Sequence, residues 1–449
     1  MKQIKGQIGK RFSPSFIWGT ATSAYQIEGA WNKDGKAPSI WDHFTHQKGT
    51  IQDGSTGDVA CDHYHRFEED VDLISRLQIG AYRFSISWPR VIPGGTGRVN
   101  QKGVDFYSRL IDSLLERGIE PFITLFHWDL PLALEHRGGW TSRETIKAFE
   151  EYAVKMVRVF GDRVRHWITL NEPISITGAG YGAGVHAPGY KNPLKLFQAA
   201  HFLLLAHGNT VRHMKAEDSG LRVGIANAFS PIYPQKKRDE HVVARVSAFL
   251  NKLFMDPILK GRYPKEILPL IKLLNRKIRP NDFDKIATPV DFIGVNHYSR
   301  YIARRTLLPF IGFRFLKPVY DNVVFTDIDW EIYPPGFYRI LTWLKEEYDN
   351  PPIFVTENGA AFNEPVEHGK INDIRRIQYL QSYISYMHKA LQEGSDIRGY
   401  FLWSLLDNFE WQYGYTKRFG IVHVDYDTQE RIIKESGWWY ANLCSGNVL

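Results

Sequence analysis

The sequence predicts one α/β domain over residues 1–449, a single (β/α)8 (TIM) barrel with long insertions after some of its strands. Two observations predict this fold. Short apolar runs of β type recur eight times, and stretches of helical periodicity lie between them. No Gly/Ser-rich linker or abrupt change in composition divides the chain. Eight strands without a break favour a closed barrel over an open doubly wound sheet.

The eight predicted strands share an apolar composition without strict alternation, as expected for strands that are buried on both faces. They cover residues 16–21, 82–87, 121–127, 167–172, 221–227, 292–298, 352–358 and 399–404. About 60 residues separate the first two strands and about 50 separate the sixth from the seventh. We expect these longer segments to be insertions around one site.

Helical patterns fill the intervals between the strands, most clearly at residues 67–77, 104–117, 142–160, 194–216 and 374–393. Ser142 is a candidate N-cap, and Gly118 follows the second of these helices as a candidate C-cap. Gly178, Gly180, Gly182 and Gly184 lack the spacing of a phosphate-binding loop. We interpret this glycine-rich stretch as a loop after the fourth strand.

Composition excludes several classes of protein. The 56 basic and 49 acidic residues leave a net charge of +7, but the basic residues are scattered, so we expect no nucleic-acid partner. Cys61 and Cys444 have no metal-site spacing and are expected to be free thiols. His63 and His65 have neither the i, i+4 spacing of a helical ligand pair nor a third ligand, so no metal is implied. No cofactor is implied either. A polar start and the lack of an apolar run near ~18 residues predict a cytoplasmic protein without a membrane partner.

Aromatic residues are frequent, with 13 Trp, 23 Tyr and 27 Phe making up 14% of the chain. Aromatic rings fill protein cores, and they also stack on flat apolar faces such as those of sugars. In a (β/α)8 barrel the active site lies at the carboxyl ends of the strands. Polar or aromatic residues end seven of the eight predicted strands, which points to a binding site there.

Two carboxylates are the strongest catalytic candidates. Glu172 follows the fourth strand in the segment Thr169-Leu170-Asn171-Glu172-Pro173, and Glu357 ends the seventh in Val355-Thr356-Glu357-Asn358-Gly359. Strands four and seven lie roughly opposite each other across a barrel mouth. Paired carboxylates that face one cavity suit glycoside cleavage, in which one protonates the leaving oxygen and the other attacks or activates water.

The sequence resembles glycoside hydrolase family 1, the β-glucosidase family, from Phe16 to Trp439. The segment at 16–29, FIWGTATSAYQIEG, is similar to the N-terminal signature of that family. The segment at 82–88, YRFSISW, is similar to its second-strand motif. The Asn-Glu-Pro and Thr-Glu-Asn-Gly segments match its acid/base and nucleophile motifs.

The resemblance implies a retaining double displacement through a covalent glycosyl-enzyme. Glu357 would be the nucleophile and Glu172 the acid/base, with carboxyl groups about 5–5.5 Å apart. Arg83 and Tyr298 would contact Glu357 and keep it ionised. The resemblance also implies a set of substrate-binding residues: Gln26, His127, Trp128, Asn171, Asn296, Trp330, Trp403, Glu410 and Trp411.

The implied substrates are terminal, non-reducing β-glucosyl residues, and β-galactosyl and β-fucosyl residues as well. Cellobiose and aryl or alkyl glucosides are expected examples, and a role in cellulose degradation follows from them. Transglycosylation at the same site is an alternative. A 6-phospho-β-glycosidase is disfavoured, because Glu410 would repel a phosphate. A non-catalytic sugar-binding domain is disfavoured because both glutamates are present, and homo-oligomerisation stays open.

Overall fold

The computed structural model describes residues 9–275, 277–306, 313–318 and 323–449 of the chain. Most of the polar N-terminal stretch, which is part of the basis for the predicted cytoplasmic location, therefore lies outside the described residues. Within these ranges eight parallel strands close into a barrel. In chain order, β1–β8 are Ile17–Ala21, Ala81–Ser85, Glu120–Phe126, His166–Asn171, Arg222–Ala228, Phe292–Asn296, Ile353–Asn358 and Ile397–Trp403.

The topology confirms the predicted (β/α)8 fold. Each strand pairs with the next one along the chain, and β8 returns to pair with β1 from Ile17↔Gly399 to Ala21↔Trp403. Strand β4 ends one residue earlier than predicted. Its successor, Glu172, has a φ of 46°, in the left-handed region, so the backbone turns away from the strand direction there.

The longer helices follow the strands in the order expected of βαβ units. They are His63–Arg76, Gln101–Glu116, Arg143–Phe160, Pro193–Glu217, Leu253–Lys260, Pro334–Glu347, Ile374–Gln392 and Glu435–Gly446. The predicted cap of the third is present, because Ser142 Oγ accepts a hydrogen bond of 3.2 Å from the Glu144 N–H.

Shorter helices and turns lie in the connecting segments. The α-helices are Ala24–Ile27, Ile40–Thr45, Trp88–Val91, Leu132–Glu135, Pro173–Ser175, Glu240–Ser247, Leu268–Leu274 and Asp282–Ile286. The 3-10 and π-helical segments are Gly139–Thr141, Ile176–Ala183, Lys237–Asp239, Ala248–Lys252 and Trp411–Tyr413. Two small sheets lie outside the barrel, one of Ile232–Pro234, Tyr301–Arg305 and Phe313–Leu316, the other of Val422–Val424 and Arg431–Ile433.

The glycine-rich stretch after β4 is a π-helical turn over Ile176–Ala183, so its interpretation as a loop was wrong. The reason is close packing. A Cβ at Gly180 would lie 2.5 Å from the carbonyl oxygen of Ala187, and one at Gly182 would lie 2.6 Å from a methyl carbon of Leu196. The glycines therefore let a widened helical turn approach its neighbours, which their spacing in the sequence does not reveal.

The barrel interior is a packed core that supports the site above it. One side chain from every strand contributes to this cluster: Ala21, Ala81, Phe122, Ile168, Ala226, Phe292, Phe354 and Phe401. The four phenylalanines contact one another, for example Phe122 and Phe401 with ring centroids 4.7 Å apart. Trp403 belongs to the same cluster, so the core is continuous with the aromatic residues of the strand ends.

The long insertion after β1 reaches the loop that follows β8. The Gln52 N–H donates a hydrogen bond of 2.9 Å to the carbonyl of Gln412, and Asp53 accepts one of 2.8 Å from the Tyr415 N–H. This contact supports the expectation that the insertion lies beside the site. The extent of the domain over residues 1–449 stays a prediction.

The structure also describes the two cysteines, the histidines considered as metal ligands, and the helices. Cys61 and Cys444 are free thiols. Within the described ranges no three His, Cys, Asp or Glu side chains converge as a metal site would require, and His63 instead pairs with Asp70 over 2.8 Å. None of the helices in that part of the chain has the length and apolar character needed to cross a membrane.

Candidate active site

Glu172 and Glu357 line one cavity of about 140 Å³, which we name the inner cavity. Glu172 leaves β4 with its backbone N–H bonded to the Ala226 carbonyl of β5 over 2.8 Å. Glu357 is the fifth residue of β7. Both side chains are nearly fully buried. Two carboxylates from strands four and seven therefore face the same small space.

Glu357 has a separate donor for each carboxylate oxygen. Arg83 Nη1 donates to Oε1 over 2.8 Å, and the Tyr298 phenol donates to Oε2 over 2.6 Å. Burial raises the pKa of Glu357, and the charge of Arg83 and the hydrogen bond from Tyr298 oppose that rise. The group thus has a cation and a phenol in contact, both of which favour its ionised form.

Glu172 has a different environment. Its oxygens accept hydrogen bonds from the Asn296 amide, over 2.9 Å, and from the Ser175 hydroxyl, over 2.6 Å. Burial, followed by the negative charge of Glu357, raises the pKa of Glu172 to about 7. The hydrogen bonds from its neutral donors oppose this rise only in part, so Glu172 holds a proton to higher pH than an ordinary glutamate.

Two asparagines connect the carboxylates. Asn171 Oδ1 accepts hydrogen bonds from Arg83 over 2.6 Å and from Asn296 over 3.1 Å. Asn296 also bonds to Glu172, and its own Oδ1 accepts from Thr356, the residue before Glu357. The chain of contacts from Glu357 to Glu172 runs through buried side chains of β2, β4, β6 and β7. Their relative positions are therefore set by the barrel.

The predicted residues that line the inner cavity are His127, Trp128, Asn171, Glu172, Tyr298, Trp330, Glu357, Trp403, Glu410 and Trp411. Two atoms of these ten residues, His127 Nδ1 and Glu410 Oε2, are buried without a hydrogen-bond partner. Buried polar atoms are almost always paired, so these two atoms are suited to meet polar groups of a ligand.

His127 is neutral, because burial and the charge of Arg83 lower its pKa well below the usual range. Asn171 Nδ2 donates to its Nε2 over 3.0 Å, which assigns the imidazole proton to Nδ1. Burial, with the charges of Glu357 and Glu172, raises the pKa of Glu410 to about 8. The cavity therefore offers a neutral donor and a readily protonated carboxyl group.

Tryptophans form much of the cavity wall. The rings of Trp128 and Trp411 lie 4.4 Å apart, and the His127 ring lies 5.9 Å from Trp403 at an interplanar angle of 23°. Trp330 contacts Tyr298 with ring centroids 5.0 Å apart. The cavity wall therefore combines flat apolar faces with polar side chains, and aromatic faces of this kind stack on flat apolar ligand faces.

The sequence and the fold of the chain were compared with those of known proteins. The family model "Glycosyl hydrolase family 1" matches residues 8–448 of the chain. The chain belongs to glycosyl hydrolase family 1. It is therefore a glycoside hydrolase, and the resemblance read from its motifs is confirmed.

Individual relatives match over nearly the full length of this family 1 hydrolase. Beta-glucosidase A of Acetivibrio thermocellus is 47% identical over 97% of this chain and 98% of that protein. A bifunctional beta-D-glucosidase/beta-D-fucosidase of Bifidobacterium breve is 42% identical over 96% of this chain and 97% of its own length. The structure of a Thermotoga maritima beta-glucosidase in complex with deoxynojirimycin superposes with a TM-score of 0.94 at 46% identity, covering 98% and 99% of the two chains.

Gln26 of this family 1 hydrolase does not line the inner cavity. It also does not line a second, larger cavity that adjoins the inner one. Its buried amide accepts a hydrogen bond from the Ser23 hydroxyl over 2.7 Å and donates to Asn408 Oδ1 and the Phe409 carbonyl over 3.0 and 2.9 Å. It thereby holds the loop that carries Glu410. Its assignment as a substrate-binding residue stays a prediction.

Neighbouring residues at the strand ends face opposite sides of the barrel wall. Asn296 and Tyr298 reach the carboxylates, whereas His297 points outward and its ring stacks on Phe337 with centroids 5.2 Å apart. Likewise Asn358, next to Glu357, bonds outward to Tyr379 over 3.1 Å. Polar character at a strand end is therefore not sufficient for a place in the site.

Five residues that line the inner cavity were not predicted from the sequence: Ser175, His186, Gln412, Tyr413 and Phe419. His186 and Gln412 are 226 positions apart and share a hydrogen bond across the cavity wall. Nothing in their local sequence indicates this pairing. Ser175 could have been found, because it lies three residues after Glu172, at helical spacing from it.

A second, larger cavity of about 390 Å³ adjoins the first, and we name it the outer cavity. Glu172, Ser175, Tyr298 and Trp330 line both. Its other walls come from the segments after β5 and β6, which include the small sheet outside the barrel. The two cavities thus meet at Glu172.

Proposed function

We propose that this hydrolase is a retaining β-glucosidase that releases terminal, non-reducing β-D-glucosyl residues. The observation that carries the proposal is the contrast between two carboxylates in one buried cavity. Glu357 is bound by Arg83 and Tyr298, while Glu172 has only neutral donors and a pKa raised to about 7. Two acids whose environments differ in this way can take the roles of nucleophile and proton donor.

In the first step, a carboxylate oxygen of Glu357 attacks the anomeric carbon and forms an ester bond to the sugar. The bond from that carbon to the leaving oxygen breaks, and Glu172 gives that oxygen its proton. In the second step, Glu172 takes a proton from a water molecule, whose oxygen displaces Glu357. Esterification removes the charge of Glu357, so the pKa of Glu172 falls between the two steps. Glu172 then remains deprotonated and can act as the base in the second step.

The inner cavity is the proposed site of the glucosyl unit. His127 Nδ1–H and Glu410 are suited to bind its hydroxyls, and Trp403 and Trp411 offer aromatic faces for stacking. Trp128, Asn171 and Asn296 support the same subsite through their hydrogen bonds, and Gln26 supports it through its contacts beneath Glu410. Trp330 is proposed to contact the aglycone, since it lines both cavities.

Unphosphorylated sugars are the proposed substrates. Among the described residues that line the inner cavity there is no Lys or Arg to pair with a phosphate, and Glu410 adds charge repulsion only as the pH approaches its pKa of about 8. Glu410 Oε2 can accept a hydrogen bond from a sugar hydroxyl. We propose β-glucosides such as cellobiose and aryl or alkyl glucosides, with β-fucosides and β-galactosides as further substrates. The similarity to the Bifidobacterium breve glucosidase/fucosidase favours the fucoside.

The test is a panel of 4-nitrophenyl β-glycosides of glucose, galactose, fucose and glucose 6-phosphate, with cellobiose measured alongside. We expect the highest kcat/KM on a neutral glycoside and release of the β-anomer first, as retention requires. Turnover of the 6-phosphate alone would contradict the assignment of Glu410. Transfer of the sugar to an added alcohol, measured by product analysis, would show how far transglycosylation competes with hydrolysis.

A further inference from the structure

Ser175 holds a hydroxyl against Glu172, the proposed acid/base. Its Oγ donates a hydrogen bond of 2.6 Å to Glu172 Oε2. The local backbone explains this contact. Glu172 directly precedes a short helix, Pro173–Ser175, and the Ser175 N–H donates to the Glu172 carbonyl over 2.9 Å. One helical turn therefore brings the serine hydroxyl back to the side chain three positions earlier.

The two carboxyl oxygens of Glu172 have partners of different kinds. Oε1 accepts a hydrogen bond of 2.9 Å from the Asn296 amide. The orientation of this amide is set by Thr356, whose hydroxyl donates to Asn296 Oδ1 over 2.6 Å. Asn296 can therefore only donate to Oε1. A serine hydroxyl can both donate and accept, so Oε2 is the oxygen whose partner suits the carboxylic acid as well as the carboxylate.

The Ser175 hydroxyl also lies where proton transfer is expected. Ser175 and Glu172 both line the inner and the outer cavity. The leaving oxygen of a glycoside lies between the sugar and the aglycone, and the acid has to deliver its proton to that oxygen. The junction of the two cavities is therefore the place where the protonation state of Glu172 changes.

The charged and titratable groups around Glu172 do not provide such an adjustable contact. Arg83, the cation of this set, is hydrogen-bonded to Glu357 and not to Glu172. The hydrogen bond from Ser175 lowers the pKa of Glu172, against the rise caused by burial and by Glu357. The groups that face Glu172 from neighbouring elements are Arg83 of β2, Tyr298 and Tyr301 after β6, Glu357 of β7 and Glu410 after β8.

We propose that Ser175 is a positioning residue for Glu172, and that its hydroxyl changes from acceptor to donor when Glu172 loses its proton. Before the first step, Oε2–H of Glu172 donates to Ser175 Oγ until the leaving oxygen takes the proton. After that transfer the Ser175 hydroxyl donates to the carboxylate and stabilises it until water returns a proton in the second step. The inference rests on the proposed function, and Ser175 acts through Glu172 without forming a bond to the sugar.

The experiment measures two pH profiles in the wild type, Ser175→Ala and Ser175→Thr. The alkaline limb of kcat/KM on an alkyl glucoside reports Glu172 as the acid. The acid limb of kcat on dinitrophenyl glucoside, for which the second step limits the rate, reports Glu172 as the base. Ser175→Ala removes a donor to the carboxylate, so both limbs should move to higher pH, by about one unit. Ser175→Thr keeps the hydroxyl and should restore both limbs.

The matched control is Ser113→Ala. It removes a buried hydroxyl on the helix Gln101–Glu116 that accepts a hydrogen bond of 2.9 Å from Arg117, and both limbs should stay at their wild-type positions. The position of a limb does not depend on the fraction of active protein, so partial unfolding cannot imitate the shift.

Unmoved limbs in Ser175→Ala would overturn the inference, and so would a shift that persists in Ser175→Thr or that also occurs in Ser113→Ala. Each of these results leaves the proposed function intact as long as the wild type hydrolyses glucosides. Failure of the wild type on every glucoside would instead contradict the proposed function.

Discussion

The Tyr298 phenol donates a hydrogen bond of 2.6 Å to Oε2 of Glu357, while Arg83 occupies the other oxygen. The phenol belongs to the segment after β6 and the carboxylate to β7, so neighbouring strands of the barrel bring them together. Burial and the charge of Glu357 raise the pKa of Tyr298 well above its usual range, and the phenol therefore remains a donor at all physiological pH values.

Tyr298→Phe should lower kcat/KM on aryl glucosides about tenfold to a hundredfold, because a hydrogen bond to a charged group is lost where charge changes during the reaction. The matched control is Tyr338→Phe, which removes the hydroxyl of a half-buried tyrosine that bonds to Glu393 on the surface. Steady-state kinetics of both variants checks the prediction. Equal effects of the two substitutions would contradict a role for Tyr298 in supporting Glu357.

Glu357→Gln should abolish turnover, with a loss of several orders of magnitude in kcat, because an amide cannot form the glycosyl ester. Glu116→Gln, at an exposed glutamate that ends a helix, should retain the wild-type rate. A near-native rate for Glu357→Gln on an aryl glucoside would rule out its assignment as nucleophile.

The pH dependence should follow Glu172, which is the proposed proton donor and has to be protonated for the first step of the proposed mechanism. Since its pKa is about 7, kcat/KM on a glucoside with a poor leaving group should fall about tenfold per pH unit above that value. In Glu357→Gln the repelling charge is gone, so the pKa of Glu172 should fall, while burial keeps it above 4.5. Titration of Glu172 by NMR in that variant checks the shift, and an unchanged pKa would show that the two carboxylates do not interact.

Glu172→Gln should slow the cleavage of alkyl glucosides far more than that of dinitrophenyl glucoside, whose leaving group needs no proton. The same variant should lose the alkaline decline in rate. A uniform loss on all leaving groups would instead indicate that Glu172 positions the substrate.

Glu410→Gln should stabilise the protein while it weakens sugar binding. The folded-state pKa of about 8 exceeds that of an unfolded glutamate, so the stability linked to Glu410 is fully present below about pH 4.5 and is lost as the pH rises through 8. The gain of the variant should therefore be larger at pH 9 than at pH 5, on the order of a few kcal/mol. Thermal unfolding at the two pH values measures it, and a gain independent of pH would contradict this origin.

Asp407→Asn should destabilise the protein by about 3–5 kcal/mol, because it leaves buried cations without their partner. Asp407 is fully buried and pairs with Lys434 over 2.8 Å and with Arg418 over 2.9 Å. It lies in the same loop after β8 as Glu410. Asp396→Asn, which breaks a largely exposed pair with Arg398, should cost less than about 1 kcal/mol. Denaturant unfolding of both variants distinguishes the buried pair from the surface pair.

The sequence alone determined the barrel and the two carboxylates. Each strand is a local apolar run, and Glu172 and Glu357 lie within short motifs directly at strand ends, so both follow from neighbouring residues. The third predicted helix begins after its predicted cap, Ser142, for the same reason.

Only the tertiary structure decided which polar strand-end residues reach the site and what their charges do there. His297 and Asn358 are as polar as Asn296, yet they face outward. The raised pKa of Glu410 depends on burial and on two carboxylates more than 50 positions away in the sequence. Burial and contacts between distant segments are properties of the folded chain, and they set the chemistry of this site.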